Sequence, residues 1–271
     1  MFASYSNKWR QLKSPVAPQG EDAADHAVRE LCHRASCLLR VFMWMAWAMA
    51  CVIFGEIVAE LLIKKKLLNS LLLCQLINYV VTLGLMLGAP YLWHKLRHHP
   101  AKFWAEVGLG GLPRSSDAAL TAKMILPYYA MIIIAGVVLQ LVAPNLVNEK
   151  QHIVTDNSPL GLASMINSNE MLVILALYLI VAVMAPIAEE MIFRGFLYTK
   201  LRRVVGVANA MLWVSLVFAL AHGQVAAGMV TFILSMCNCY MREKTGRIYP
   251  GIFLHMMCNT IALTLQIALL H

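Results

Sequence analysis

The segment APIAEEMIFRG at residues 185–195 places three ionisable side chains inside an otherwise apolar run. The residues on both sides of it are apolar enough to lie in lipid, so Glu189, Glu190 and Arg194 are expected within a membrane helix. An ionised group near the bilayer centre costs roughly 2.5–3.5 kcal/mol on insertion scales, and its default interpretation is a functional one with a partner. The segment therefore predicts a membrane fold and a functional site together.

The composition of the whole chain agrees with a membrane protein. The chain has 271 residues, of which 60% are hydrophobic and 13% are charged. Soluble domains have roughly 45–50% apolar and about 25% charged residues. Long apolar runs alternate with short polar loops, and a helix of about 20 apolar residues spans the hydrocarbon core. We expect an all-α, polytopic membrane helix bundle with about seven transmembrane helices and a polar intramembrane cavity.

The formal net charge of +8 does not indicate a nucleic-acid partner, because the basic residues lie in the loops between apolar runs. Loop lysines and arginines decide orientation in the bilayer, and their distribution predicts a cytoplasmic N-terminus. The seven cysteines form no CxxC pair, so neither a disulfide framework nor a zinc ribbon is indicated. The short length and the lack of a targeting peptide suit a bacterial plasma membrane, with the lipid bilayer as partner.

Three regions are expected along the chain. Residues 1–36 form a polar cytoplasmic N-terminal segment, residues 37–170 form the N-terminal transmembrane helices, and residues 171–271 form a transmembrane core that contains the segment 185–195. The basic, aromatic stretch 94–117 is predicted to lie on the membrane surface, where its cations can contact anionic headgroups. Pro186 is predicted to break the fourth apolar segment into two half-helices, with Glu189 and Glu190 in the first turns of the second half.

Three pairs of side chains at i,i+4 spacing lie in successive apolar segments: Glu190 with Arg194, Phe218 with His222, and His255 with Asn259. Residues at this spacing share one helix face. Each pair alone has a structural explanation, namely a buried ion pair, a capped histidine or an interhelical hydrogen bond, because polar residues hold membrane helices together. Jointly the pairs supply a base, two imidazoles and an amide donor, which are the groups needed for hydrolysis of an amide by water.

These motifs resemble those of the CPBP intramembrane proteases, also called the Abi or type II CAAX prenyl endopeptidase family. The resemblance rests on EExxxR at 189–194, FxxxH at 218–222 and HxxxN at 255–259, in that order and on successive spans. It covers roughly residues 182–262, and residues 1–170 add only compatible hydropathy.

The resemblance implies an all-helical bundle with a conical cavity, and cleavage of a peptide bond in a membrane-associated protein or peptide. It implies a set of catalytic residues and a set of supporting ones: Glu189, His222, His255 and Asn259 as catalytic, with Glu190, Arg194 and Phe218 supporting. The family includes proteases that trim prenylated CAAX ends, mature secreted peptides or confer bacteriocin immunity. The residues of this chain do not select among these substrates.

The expected mechanism uses Glu189 as general base toward a water molecule that His222 helps to hold. His255 and Asn259 would donate hydrogen bonds to the oxyanion. A rival version of the same hydrolysis uses zinc bound by Glu189, His222 and His255, a His₂Glu ligand set. The chain has no HExxH sequence, and Asn259 is a poor zinc ligand but a good oxyanion donor, so the metal-free version is favoured.

Two non-catalytic functions are also compatible with the sequence. The same charged faces could line a transport path, or the protein could be a non-catalytic membrane scaffold. Inverted repeats between the two halves would favour a transporter, and residues 1–170 contain no counterpart of the motif helices.

Overall fold

The computed structural model describes residues 21–64, 77–78, 80–82, 84–85, 88, 91–92, 95–96, 100–144, 171–222 and 224–270. In these residues the backbone is almost entirely helical and contains no strand. The helices that position the site are α1 (Glu21–Lys64), α2 (Pro100–Val107), α3 (Ser115–Val142), α4 (Met171–Val205), α5 (Val207–Leu220), α6 (Val225–Thr245) and α7 (Tyr249–Leu270). The predicted all-α membrane bundle is confirmed.

Four of these helices, α3, α4, α6 and α7, are long and apolar enough to cross a membrane. The stretch Val41–Gly55 of α1 and the helix α5 are apolar but shorter. Helix α1 begins at Glu21, so residues 21–36 of the predicted polar segment are already helical. The apolar run at residues 67–93 predicts a second span, but this run lies largely outside the described residues. The number of about seven spans stays a prediction.

Helix α4 passes through Pro186 without the predicted break. Two π-helical stretches, Tyr178–Met184 and Met191–Tyr198, flank the α-helical turn Ala185–Glu190 that carries the proline at its start. Proline lacks the N–H that a regular helix needs, and π-helical turns change the hydrogen-bond register to i,i+5, which accommodates such a position inside a helix. The prediction of two half-helices is therefore wrong, and the two glutamates lie in mid-helix.

The short helix α5 explains how His222 can lie inside the membrane. The sequence places a span at residues 207–222, which would carry this histidine past the bilayer midplane. Helix α5 has only 14 residues and ends at Leu220, so it is about 21 Å long. That is less than the roughly 30 Å of the hydrocarbon core. A helix of this length that starts near one membrane surface ends within the core but past its midplane, so the depth expected from the sequence for the end of α5 is unchanged.

The stretch 94–117 is tied to the core more firmly than a surface helix would be. Its helix α2 buries Phe103 and Val107, which are 1% and 0% exposed, in one cluster with Met191 and Phe196 of α4. Trp104 on the other side is 37% exposed. Only one face of α2 is therefore available to headgroups, because the other face packs against the helix that carries the motif.

The glycine-containing turn after α2 is held by two buried arginines. Arg247 forms an ion pair with Asp117 at 3.1 Å, and its guanidinium donates to the carbonyl oxygens of Gly110 at 3.0 Å and Leu112 at 2.5 Å. Arg242 donates to the carbonyl oxygen of Glu106 at 2.8 Å. These contacts fix the junction of α6 and α7, from which α7 carries His255 into the bundle.

Asp117→Ala is expected to lower the free energy of unfolding by about 3 kcal/mol or more, because it leaves a buried guanidinium without its counter-ion. Asp117 is 1% exposed and also accepts the Arg114 N–H at the start of α3. Thermal unfolding of the purified protein in detergent measures the effect. Asp25→Ala, which removes the largely exposed partner of Arg29, should leave the unfolding temperature unchanged. Equal effects of the two variants would show that the buried Asp117–Arg247 ion pair does not stabilise the fold.

Candidate active site

The neighbouring carboxylates Glu189 and Glu190 lie in different surroundings. Successive residues of a helix point about 100° apart, so adjacent side chains face different neighbours. The Glu190 side chain is 0% exposed, whereas the Glu189 side chain is 30% exposed. Glu189 lines a cavity together with His222, and Glu190 is enclosed by the surrounding helices. The doubled glutamate therefore provides one partly accessible carboxylate, whose Oε2 is buried, and one sealed carboxylate.

One oxygen of Glu190 is the centre of the buried polar network. Its Oε1 forms an ion pair with Nη1 of Arg194 at 2.9 Å. It also accepts hydrogen bonds from Nδ2 of Asn238 at 2.8 Å and from Nδ1 of His255 at 3.0 Å. Arg194 is 0% exposed and lies one helical turn from Glu190, as the motif spacing predicts. The network joins α4, α6 and α7 at a single carboxylate.

His255 connects the two glutamates through its two ring nitrogens. Because Glu190 is ion-paired with Arg194, its carboxylate acts as an acceptor, and Nδ1 of His255 carries the hydrogen. The other nitrogen, Nε2, lies 3.7 Å from Oε2 of Glu189. The imidazole is 2% exposed. Glu190 thus fixes the tautomer and ring orientation of His255, and leaves Nε2 beside the accessible carboxylate.

Phe218 and His222 at the end of α5 complete this side of the site. Nδ1 of His222 donates to the carbonyl oxygen of Phe218 at 2.8 Å, since a carbonyl can only accept. In the neutral ring, Nε2 of His222 is therefore an acceptor. The Phe218 ring is 1% exposed and contacts both histidines, with centroid distances of 4.9 Å to His222 and 5.8 Å to His255. The Arg194 guanidinium lies 4.6 Å from the same ring centroid.

Asn259 has a structural contact as well as its predicted role. Its amide Nδ2 donates to the carbonyl oxygen of Val181 at 2.9 Å. Val181 lies in the first π-helical stretch of α4. The contact ties α7 to α4 one turn from His255. An oxyanion-donor role for Asn259 stays a prediction, and it needs the second hydrogen of the amide.

The sequence interpretation missed Asn238. This residue lies in mid-α6, is 1% exposed, and donates to Glu190 and, at 3.4 Å, to the carbonyl oxygen of Gly251. A signal was present, because an amide within an apolar span is expected to bond across helices. Its neighbours Cys237 and Cys239 are buried in apolar clusters, as expected of packing residues.

The cavity beside Glu189 has a volume of about 400 Å³. Its polar groups are Glu189, His222 and Lys200, and Lys200 forms an ion pair with Glu106 of α2 at 3.4 Å. The rest of the wall is apolar and comes mainly from α1, α4 and α5: Val41, Met45, Met49, Ile192, Phe193, Phe196, Leu197, Val217, Phe218 and Ala221. The expected polar cavity is thus mostly apolar, with acid–base groups in one part of its wall.

The three donors of the zinc alternative do not form a ready metal site. Within the described part of the chain, no three His, Cys, Asp or Glu side chains are grouped closely enough to hold a metal ion. Glu189 and His255 are neighbours, and His222 shares the cavity with Glu189. The groups are of the right chemical type for zinc, but their arrangement does not fit a preformed His₂Glu centre.

Comparison with known proteins yields one match. No curated protein matches the chain, and no solved structure matches it. A family model does match, over the segment that contains α4 to most of α7, including Glu189, His222, His255 and Asn259. The recognition made from the three motifs is thereby confirmed: residues 171–261 match the type II CAAX prenyl endopeptidase Rce1-like family, consistent with the CPBP family.

Proposed function

We propose that the protein is an intramembrane endopeptidase that cleaves a peptide bond of a membrane-associated protein or peptide with water activated by Glu189. The observation that carries the proposal is the division of labour between two carboxylates. Glu189 lines the cavity with His222, whereas Glu190 is sealed and bonded to His255. Carboxylates in such unlike surroundings can take unlike roles in one reaction. The matching endopeptidase family supports the same reaction class.

In the proposed reaction Glu189 takes a proton from water while the water oxygen bonds to the scissile carbonyl carbon. His222 accepts a hydrogen bond from this water through Nε2 and orients it. His255 and Asn259 donate to the oxyanion that forms. The proton on Glu189 then passes to the amide nitrogen as the C–N bond breaks, which leaves a carboxyl group and a free amine.

The contacts of His255 set a condition on this mechanism. Because Nδ1 donates to Glu190, the neutral ring has no hydrogen on Nε2 and cannot donate to an oxyanion. The donor form is the imidazolium, which two carboxylates flank, Glu190 at 3.0 Å and Glu189 at 3.7 Å. Glu190 therefore has a second role beyond its ion pair, since it holds Nδ1 of His255 and leaves Nε2 as the nitrogen on the side of Glu189.

The apolar cavity favours substrates with an apolar segment, which includes prenylated ends and membrane-inserted secreted peptides. We place the protein in a bacterial plasma membrane with its N-terminus in the cytoplasm, as the loop cations favour.

The test compares the protein termini of membranes that carry the wild type or Glu189→Gln. New termini that depend on Glu189 are expected; identical sets of termini would indicate a scaffold or a transporter.

Metal removal separates the two versions of the hydrolysis. Activity of the purified protein is expected to survive a strong chelator in zinc-depleted buffer, because the proposed base and oxyanion donors are side chains of the chain itself. Cleavage of a peptide identified from the Glu189-dependent termini provides the measurement. Loss of cleavage on chelation, with recovery on addition of zinc, would overturn the metal-free mechanism in favour of Glu189, His222 and His255 as ligands.

A further inference from the structure

We infer that Asn238 is a positioning residue of the reaction, which acts with Gly251 to hold the Glu190–His255 pair in its working geometry. The inference rests on the proposed peptidase function. It concerns a residue outside the three motifs, on helix α6, which carries none of them.

The Asn238 amide joins three helices at the buried carboxylate. Its Nδ2 lies 2.8 Å from Oε1 of Glu190 on α4 and 3.4 Å from the carbonyl oxygen of Gly251 on α7. Both partners are acceptors, so the two amide hydrogens fix which end of the side chain faces them. Oδ1 is buried and has no hydrogen-bond partner in the structure. Leaving a buried carbonyl oxygen unsatisfied is unfavourable, so the two donor contacts dominate the orientation.

Gly251 brings the backbone of α7 close to the same carboxylate. A Cβ at this position would lie 3.0 Å from Oε2 of Glu190 and 3.3 Å from Cβ and Cγ of Asn238. These atoms are enclosed and cannot move away easily, because Glu190 is 0% and Asn238 is 1% exposed. The missing side chain therefore lets α7 approach α4 closely enough for the contacts at Glu190.

The contacts of Asn238 and Gly251 at Glu190 affect the proposed hydrolysis through His255. Gly251 and His255 are one turn apart on α7 and share a face of that helix. When Asn238 binds both Gly251 and Glu190, it fixes the position of α7 relative to the carboxylate that receives Nδ1 of His255. Without this link, Glu190 keeps Arg194 but loses one of the donors that hold Oε1 in place.

The test uses the full-length protein in detergent and a quenched-fluorescence peptide that copies a segment cleaved in a Glu189-dependent way. Asn238→Leu, which keeps the size but removes the amide, is expected to lower kcat about 10- to 100-fold, the loss typical when a residue that orients a side chain of the site is removed. KM should change little, since Asn238 is not part of the cavity wall. Asn209→Leu makes the same change at an exposed position of α5 and should leave kcat unchanged.

The pH profile of kcat and the His255 signal in ¹⁵N-histidine spectra would not change if Asn238 only supported folding. Asn238→Asp should shift the pH profile of kcat toward acid, because only a protonated carboxyl can donate to Glu190. In ¹⁵N-histidine spectra of the Glu189→Gln protein, the His255 signal, assigned by its loss in His255→Gln, should show hydrogen on Nδ1. Adding Asn238→Leu or Gly251→Ala should weaken that preference.

The outcomes are distinct from a failure of the proposed function. If no Glu189-dependent cleavage exists, the peptidase proposal fails, while the histidine spectra still report whether Asn238 orients His255. If cleavage exists and folded Asn238→Leu has the wild-type kcat, pH profile and His255 signal, the positioning role is overturned. If Asn238→Leu does not fold, Asn238→Asp and Gly251→Ala decide the question by the same readouts.

Discussion

Glu189→Gln is expected to lower kcat for peptide cleavage by about 10²- to 10⁴-fold, the contribution typical of a positioned general base. The substitution keeps the shape of a side chain that is 30% exposed and lines the cavity. It removes only the ability to take a proton from water. The contact of Glu189 with the buried Glu190 network is the pair with Nε2 of His255 at 3.7 Å, which is beyond hydrogen-bond distance, so the free energy of unfolding should change little.

The matched control is Glu243→Gln, at another half-buried carboxylate. Glu243 pairs with Arg202 and accepts a hydrogen bond from Tyr198 at 2.8 Å, and none of these three residues lines the cavity. This variant should keep the wild-type kcat. Steady-state cleavage of the Glu189-dependent peptide, with thermal unfolding measured in parallel, provides the comparison. A folded Glu189→Gln protein with undiminished kcat would refute the assignment of the base.

Arg194→Leu is expected to have the largest effect on stability, about 3–5 kcal/mol of lost unfolding free energy. The change leaves Glu190 buried at 0% exposure without its cation. It also removes the guanidinium from the Phe218 ring, 4.6 Å from the ring centroid. The fall should be visible as a lower denaturant midpoint in detergent, or as loss of folded protein.

The double variant Glu190→Leu/Arg194→Leu separates stability from catalysis. Replacing both members of a buried ion pair by apolar groups is often neutral or stabilising, so the double variant should be more stable than Arg194→Leu alone. It should remain inactive, because Nδ1 of His255 has then lost its acceptor. A double variant as unstable as the single one would show that the cost does not come from an unpaired Glu190.

The motif spacing predicted the contacts within α4 and α5 correctly, whereas for His255 and Asn259 on α7 it correctly gave only a shared helix. Glu190 pairs with Arg194, and His222 bonds to the carbonyl of Phe218, because residues four apart on a helix are neighbours wherever the helix lies. The meeting of Glu189 with His255 was also expected from sequence. That expectation came from the cost of isolated charges in lipid, which requires a partner but does not specify the atoms that bond.

The interpretation failed where one helix depends on another. Pro186 suggested a break, but the π-helical stretches on either side keep α4 continuous. The surface location of the stretch 94–117 stays a prediction, and what the sequence did not reveal is that Phe103 is buried against α4. In each case local propensity was correct about the residue, and packing against a distant segment decided its environment.

The sequence by itself determined that this chain is an all-α membrane protein, because hydropathy and helix length follow from the cost of exposing backbone to lipid. It also determined which charged residues require partners. Only the tertiary structure decided that Glu190 is sealed and Glu189 accessible, that Asn259 binds Val181, and that Asn238 joins the site. Those outcomes depend on the distances between helices, such as the close approach of α7 to Glu190 at Gly251, which no local pattern encodes.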